Sequence, residues 1–229
     1  MSKSPSESQI RSVTNFNDLV ATPFAGNVNA ICWERKLQGD FAEIANALTL
    51  NENMVELGQE ELLSLRLSDQ GRLARDILLD DMRLLKAHGA SPVLNVIKSY
   101  ERDNSYPLFP TDVYSFHVDR SPVPTDTFLC TYHGDSSEII PNSHATQKVL
   151  IPEIRAELKQ LHDGNEADFE SFLTEYFFDL HYQANAKPTS LGIGHLWRLA
   201  VDHPESKVPP CIHCAPIENS GQRRLLLIC

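Results

Sequence analysis

Phe116-His117-Val118-Asp119 is the stretch that organises the rest of the chain. Side chains alternate along a strand, so a histidine and an aspartate two apart point to the same face. An imidazole and a carboxylate held this way are two legs of a facial metal triad, and a distant histidine supplies the third. His213, in Pro210-Cys211-Ile212-His213-Cys214-Ala215-Pro216, is the expected partner. Two imidazoles and one hard oxygen, with no thiolate, suit Fe(II) and leave coordination positions open. A bare H-x-D also occurs at solvated strand ends, so the weight falls on what surrounds it.

Downstream, Thr127 to Tyr132 reads as an apolar strand and Glu138 to Pro141 as a short one, after a turn at Arg120 to Pro124. Upstream, Asp112 to Asp119 reads as the strand that carries the pair, Val93 to Tyr100 as another, and Glu101 to Pro110 as the loop between them. Two helical stripes interrupt the β texture, one at Leu150, Ile154, Leu158 and Leu161, the other from Phe169 to Leu180. The aromatic stripe is expected to be core. Gly194 to Leu199 resumes strand character, and Arg223 to Cys229 closes the chain as an apolar strand behind the loop Asn219-Ser220-Gly221.

Before Val93 the pattern is mostly helical. Asp40-Phe41-Ala42-Glu43 predicts a capping box, and Arg72 to His88 a helix with its stripe on Ala74, Ile77, Leu78, Met82 and Leu85. Gly89 is placed to cap it. Val28 to Trp33 is a short extended segment. The division expected is a disordered polar lead over residues 1–15, then one domain over 16–229. Within it, 16–92 form a helical buttress and 93–229 a β core with inserted helices at about 150–182.

The chain has 229 residues, enough for a substantial core, and a net charge of -11 from 20 basic and 31 acidic residues. That balance argues against nucleic-acid binding, which rests on cationic contacts to phosphate. No apolar run is long enough for a membrane span, and the lead MSKSPSESQIRS lacks the apolar segment of a signal peptide. Five cysteines do not form an even disulfide framework, which makes a reducing cytoplasm the expected compartment.

In this order the motifs resemble the Fe(II)/2-oxoglutarate-dependent dioxygenase superfamily, with the prolyl-hydroxylase-like and phytanoyl-hydroxylase-like branches nearest. The resemblance covers roughly Val93 to Cys229: H-x-D, a distal histidine, and a basic residue about ten positions beyond it. It implies a double-stranded β-helix, a jelly-roll of the cupin-like kind, mainly β with flanking helices. It implies that His117, Asp119 and His213 hold Fe(II), with 2-oxoglutarate and O2 as cosubstrates. Arg223 is the expected partner of the distal 2-oxoglutarate carboxylate, a task a guanidinium fork suits, with Arg224 as rival. If Arg223, Leu225 and Leu227 share a face, Arg224 points to the other. Thr127 or Thr131 would donate a hydroxyl to the same carboxylate; Tyr100 and Tyr114 are weaker candidates. A carboxylate at Asp119 implies oxygenation rather than halogenation, with a small molecule or a protein side chain as substrate.

The chain departs from that pattern in two ways. Cys211 and Cys214 flank the third ligand in a C-x-x-C, which invites zinc, but no second such pair appears. The arginines also lie very near the C-terminus. Six other histidines, His133, His144, His162, His181, His195 and His203, are expected to be surface or core residues. Two other functions stay open. One is a cupin-like metal isomerase or cosubstrate-free dioxygenase, which the trailing arginine disfavours. The other is a non-enzymatic β-sandwich binding module.

Overall fold

The computed structural model describes residues 8–103, 105–106, 108–219 and 221–229. The first seven residues of the polar lead, two positions of the 101–110 loop and Ser220 lie outside that description. In chain order the elements are β1 (Ile10–Val13), α1 (Phe16–Ala21), β2 (Ala30–Trp33), α2 (Phe41–Ala47), β3 (Met54–Leu57), α3 (Gln59–Ser64), α4 (Asp69–Ala87), β4 (Val93–Ile97) and β5 (Asp126–His133). There follow β6 (Glu138–Ile140), β7 (Ala145–Gln147), α5 (Pro152–Leu161), α6 (Phe169–Glu175), β8 (Tyr182–Ala184), β9 (Thr189–Ser190), β10 (Leu196–Ala200), β11 (Ile212–Cys214) and β12 (Arg224–Ile228).

Seven strands form one large sheet in the order β1-β2-β10-β5-β12-β4-β3, antiparallel except for β1 beside β2. A small sheet, β11-β6-β9, and a pair, β7-β8, accompany it. His117 makes single bridges to His213 on one side and His181 on the other, so the chain around it joins β11 to the edge of β8. The architecture is mixed α/β, a large antiparallel sheet with flanking helices, and the sheets do not close into a barrel.

Strand alternation sorts the side chains of the large sheet onto two faces. Phe128, Cys130 and Tyr132 of β5 and Leu225 and Leu227 of β12 pack against α1 to α4, with Leu78 and Leu85 of α4 wholly buried there. The opposite face carries Leu129, Leu226, Trp197 and Cys32, which meet Ile139 of β6, Leu191 and Cys211. The small sheet therefore covers the large one, and the space between them is where polar side chains on this second face converge. Phe169 and Leu173 of α6, with Phe178 beyond it, pack against α5 and Phe109 in a cluster of their own, but the stripe expected to run to Leu180 is core only in part: α6 ends at Glu175, and Tyr176 and Phe177 are exposed.

Local chemistry explains the helices. Ser68 caps α4 by accepting the Gly71 N–H, and Gly89, at φ 96°, ends it. The Ala90 N–H reaches the Leu85 carbonyl and the Gly89 N–H that of Lys86, a closure that needs a left-handed residue. Asp40 does accept the Glu43 N–H, but Glu43 does not return the bond. Its carboxylate instead binds the N–H and hydroxyl of Ser68, tying α2 to the start of α4.

Three expectations are corrected. The polar lead was expected to reach residue 15, yet Ile10–Val13 pair in register with Ala30–Trp33. The 16–92 segment is not only a helical buttress: β2 and β3 are built into the large sheet. No regular strand runs from Asp112 to Asp119; Asp112 accepts the N–H groups of Asp103 and Tyr114, which bends the chain there.

Candidate metal centre

His117 and His213 face each other across an antiparallel bridge, each N–H bonding the other's carbonyl at 2.9 Å. Directly opposed residues project to the same side, so the rings come within 4.6 Å, centroid to centroid. Asp119, two residues on, brings its Oδ1 to 3.9 Å from His117 Nε2 and 3.7 Å from His213 Nε2. The three ligand atoms lie within 4.8 Å of one another, and no other group among the described residues meets that test.

The tautomers suit a metal. His117 Nδ1 lies 2.8 Å from the Ser115 carbonyl and His213 Nδ1 3.2 Å from that of Cys211. A carbonyl only accepts, so each Nδ1 carries the proton and each Nε2 turns a lone pair inward. Thr127 donates to Asp119 Oδ2 at 2.5 Å, leaving Oδ1 toward the histidines. Burial, then repulsion from His213, pushes the His117 imidazole down to about 4, so it is neutral at pH 7. Burial opposes the charge on Asp119, but His213, the Thr127 hydroxyl and His117 outweigh it and hold the carboxyl below its ordinary range. A neutral imidazole at His117 and an ionised carboxylate at Asp119 are forms in which a divalent ion can be ligated.

An open cavity of about 190 Å³ adjoins the triad, lined by His117, Asp119, Thr111, Arg120, Phe177 and His181, among others. Phe177 stands at its rim, 58% exposed, and is the one non-glycine among the described residues with a positive φ, 58°. His181, expected to be an ordinary core or surface histidine, sits beside His117 with ring centroids 5.9 Å apart. It is 3% exposed and its Nδ1 has no partner. No motif marked it, because its place follows from a bridge formed between segments distant in sequence.

The arginines part as strand alternation demands, but with the preferred one on the far side. Arg223 turns to the helical layer and donates to the carbonyls of Ala45 and Leu48 at 2.8 and 2.7 Å. Arg224 enters the space between the sheets, 4% exposed, and donates to Ser137 Oγ at 2.8 Å, Thr131 Oγ1 at 3.0 Å and the Tyr100 hydroxyl at 3.5 Å. Its Nε is buried without an acceptor, and among the described residues no carboxylate lies within ion-pair distance of it. Burial lowers its pKa, the mark of a cation short of compensation. Thr127, expected beside the arginine, serves Asp119 instead, and Thr131 takes the place at the arginine. Both lie on the same face of β5, about 13 Å apart by strand rise. Tyr114 is turned away, its hydroxyl donating to Glu218 at 2.5 Å.

No family model, curated protein or solved structure matches this chain.

Cys211 and Cys214 do not join the triad; both are buried, and burial pushes the Cys214 thiol up to about 12. All five cysteines are free thiols. No helix among the described residues is long and apolar enough to cross a membrane.

Proposed function

We propose that this protein is an Fe(II)- and 2-oxoglutarate-dependent oxygenase that hydroxylates a small molecule or a protein side chain. The observation that carries the reading is the pairing of two features on one inter-sheet space. One is a His-Asp-His set whose ligand atoms lie within 4.8 Å of one another; the other is a buried arginine with no carboxylate within ion-pair distance among the described residues. On this reading the facing sheets are an open form of the double-stranded β-helix.

The donor set fits a ferrous ion: two imidazole nitrogens and one carboxylate oxygen on one side, with the rest of the coordination sphere free. Iron bound there with 2-oxoglutarate and dioxygen would supply oxidation of a C–H bond to C–OH, coupled to conversion of the keto acid to succinate and carbon dioxide. The chain's residues have separable tasks. The Ser115 and Cys211 carbonyls hold the imidazoles in the ligating tautomer, and Thr127 holds the carboxylate. Arg224 would take the distal carboxylate of 2-oxoglutarate, with Thr131 and Ser137 fixing the guanidinium plane. The cavity by His117 and Asp119 would admit the substrate. A cosubstrate-free oxygenase or isomerase is disfavoured, since it gives a buried, uncompensated cation no anion to meet.

Anaerobic titration with Fe(II) or Co(II), followed by a 2-oxoglutarate turnover assay, tests this directly. The expected result is one metal per chain and succinate release that needs both iron and 2-oxoglutarate. Asp119→Ala should abolish metal uptake; Arg224→Ala should weaken 2-oxoglutarate at least tenfold, and Arg223→Ala should not. A chain that takes up no stoichiometric metal would overturn the proposal.

A further inference from the structure

The opening beside the triad is small, about 190 Å³, and most of its polar lining already has partners. Asp112 accepts the N–H groups of Asp103 and Tyr114, one on each carboxylate oxygen. The Thr111 hydroxyl donates to Asp103. Arg120 is paired with Asp179 and with Asp202, each at 2.9 Å. His181, 3% exposed, is left with its Nδ1 unpartnered. Outside the candidate ligands, the rest of the lining is Val118, Phe177 and Leu180. A charged occupant would lose water and meet groups that are already paired, whereas an apolar one meets apolar walls.

Phe177 contributes little to the fold that holds it. Its φ of 58° and ψ of 14° put it in the left-handed region, where a bulky side chain is strained and glycine or asparagine is at ease. Its neighbours Tyr176 and Phe178 pack on Phe172, with ring centroids 5.2 and 5.7 Å away. Phe177 stands outside the cluster built around Phe178, with 58% of its surface exposed. A large ring thus carries backbone strain without filling the core, and strain of this kind gathers at ligand sites. The turn is also tied to the triad: the Val118 N–H bonds the Leu180 carbonyl at 3.1 Å, between His117 and Asp119.

We infer that this cavity takes an uncharged, ring-sized apolar group of the substrate, and that Phe177 is the residue that selects it. The inference deepens the oxygenase reading and rests on it, since it takes the cavity as the place of the C–H bond to be oxidised. Pockets that enclose a whole small ligand measure about 300–1,000 Å³. About 190 Å³ therefore takes one end of a substrate, the size of a ring or a single side chain. The exposed face of Phe177 gives that group an aromatic wall to lie against. A free metabolite and an apolar protein side chain offer the same chemistry at this contact.

Benzyl alcohol, benzylammonium and benzenesulfonate present one ring with no charge, a positive charge and a negative charge. Ligand-observed NMR with the full chain compares them, by saturation transfer on the metal-free protein and by line broadening with Co(II) against a Zn(II) control. Benzyl alcohol should bind and be broadened by Co(II), and both ions should bind about tenfold more weakly or worse, because their charge loses water without gaining a partner. Phe177→Gly should weaken benzyl alcohol about tenfold, in line with a partly lost aromatic contact. The same variant should melt at or above the wild-type temperature, since glycine relieves the left-handed strain. Phe177→Leu should keep most of the affinity. The inference is overturned if either ion binds as well as the alcohol, if Co(II) leaves the bound alcohol sharp, or if Phe177→Gly binds it as the wild type does. Displacement of benzyl alcohol by a blocked Gly-Gly-Trp-Gly-Gly peptide identifies a protein side chain as the source, and displacement by indole alone a free metabolite. Displacement by neither also overturns it. A chain that takes up no Co(II) fails the oxygenase reading and the substrate role with it, whereas a metal-binding chain that ignores benzyl alcohol fails this inference alone.

Discussion

Thr127 belongs to the candidate metal centre without being one of its three candidate ligands. Its hydroxyl holds Asp119 Oδ2, so Thr127→Val should leave the fold intact and weaken metal binding. Losing an outer contact of this kind costs about 10- to 100-fold in affinity, readable by competition with a chelating dye. The imidazoles carry a second prediction. His117 and His181 sit at about 4 and about 3 against an ordinary 6.5, burial being the first cause of each. Between those values the unfolded chain binds protons that the folded chain refuses, so acid favours unfolding there. The metal-free protein should keep its full stability above pH 6.5 and lose it progressively as pH falls toward 4 and below. Urea midpoints measured across that range should show a shallower slope for His181→Phe.

Among the elements, α4 has its amphipathic stripe readable in the sequence, but the stripe includes a charge. Asp81, 3% exposed, takes both oxygens to Arg35 at 2.6 and 2.7 Å and accepts the Tyr132 hydroxyl at 2.5 Å. This buried pair joins helix, sheet and the segment after β2. Removing one partner strands the other charge in the core, at a cost of about 3–5 kcal/mol. Asp81→Ala should lose that much by urea denaturation, whereas Asp76→Ala on the same helix, an exposed carboxylate beside a half-buried Arg75, should lose under about 1 kcal/mol. β12 teaches the complementary lesson. Alternation correctly separates Arg223 from Arg224, yet it cannot say which face of the strand meets helices. The α2 carbonyls capped by Arg223, and the hydroxyls of Thr131 and Ser137 on the other side, decide it.

Across the whole molecule, metal would tie the segment at 117–119 to β11 and so act on global stability. A ligand at 100 times its dissociation constant stabilises by about 2.7 kcal/mol, and for a domain of this size each kcal/mol moves Tm by about 2–4 °C. Adding Co(II) to the metal-free protein should raise Tm by about 5–10 °C, with no rise for Asp119→Ala, as scanning calorimetry would show. The sequence by itself determined the types of the candidate ligands and the pairing of His117 with Asp119, because two residues one apart from a common neighbour share a face in any extended chain. It determined α4 with its glycine stop, and the opposition of the two arginines, since these follow from backbone period alone. Only the tertiary structure decided that His213 lies opposite His117, that His181 adjoins it, and that Arg224 is the buried cation. Those facts depend on which segments pair across the sheets, and pairing is set by packing between residues far apart in the chain, which no local period records.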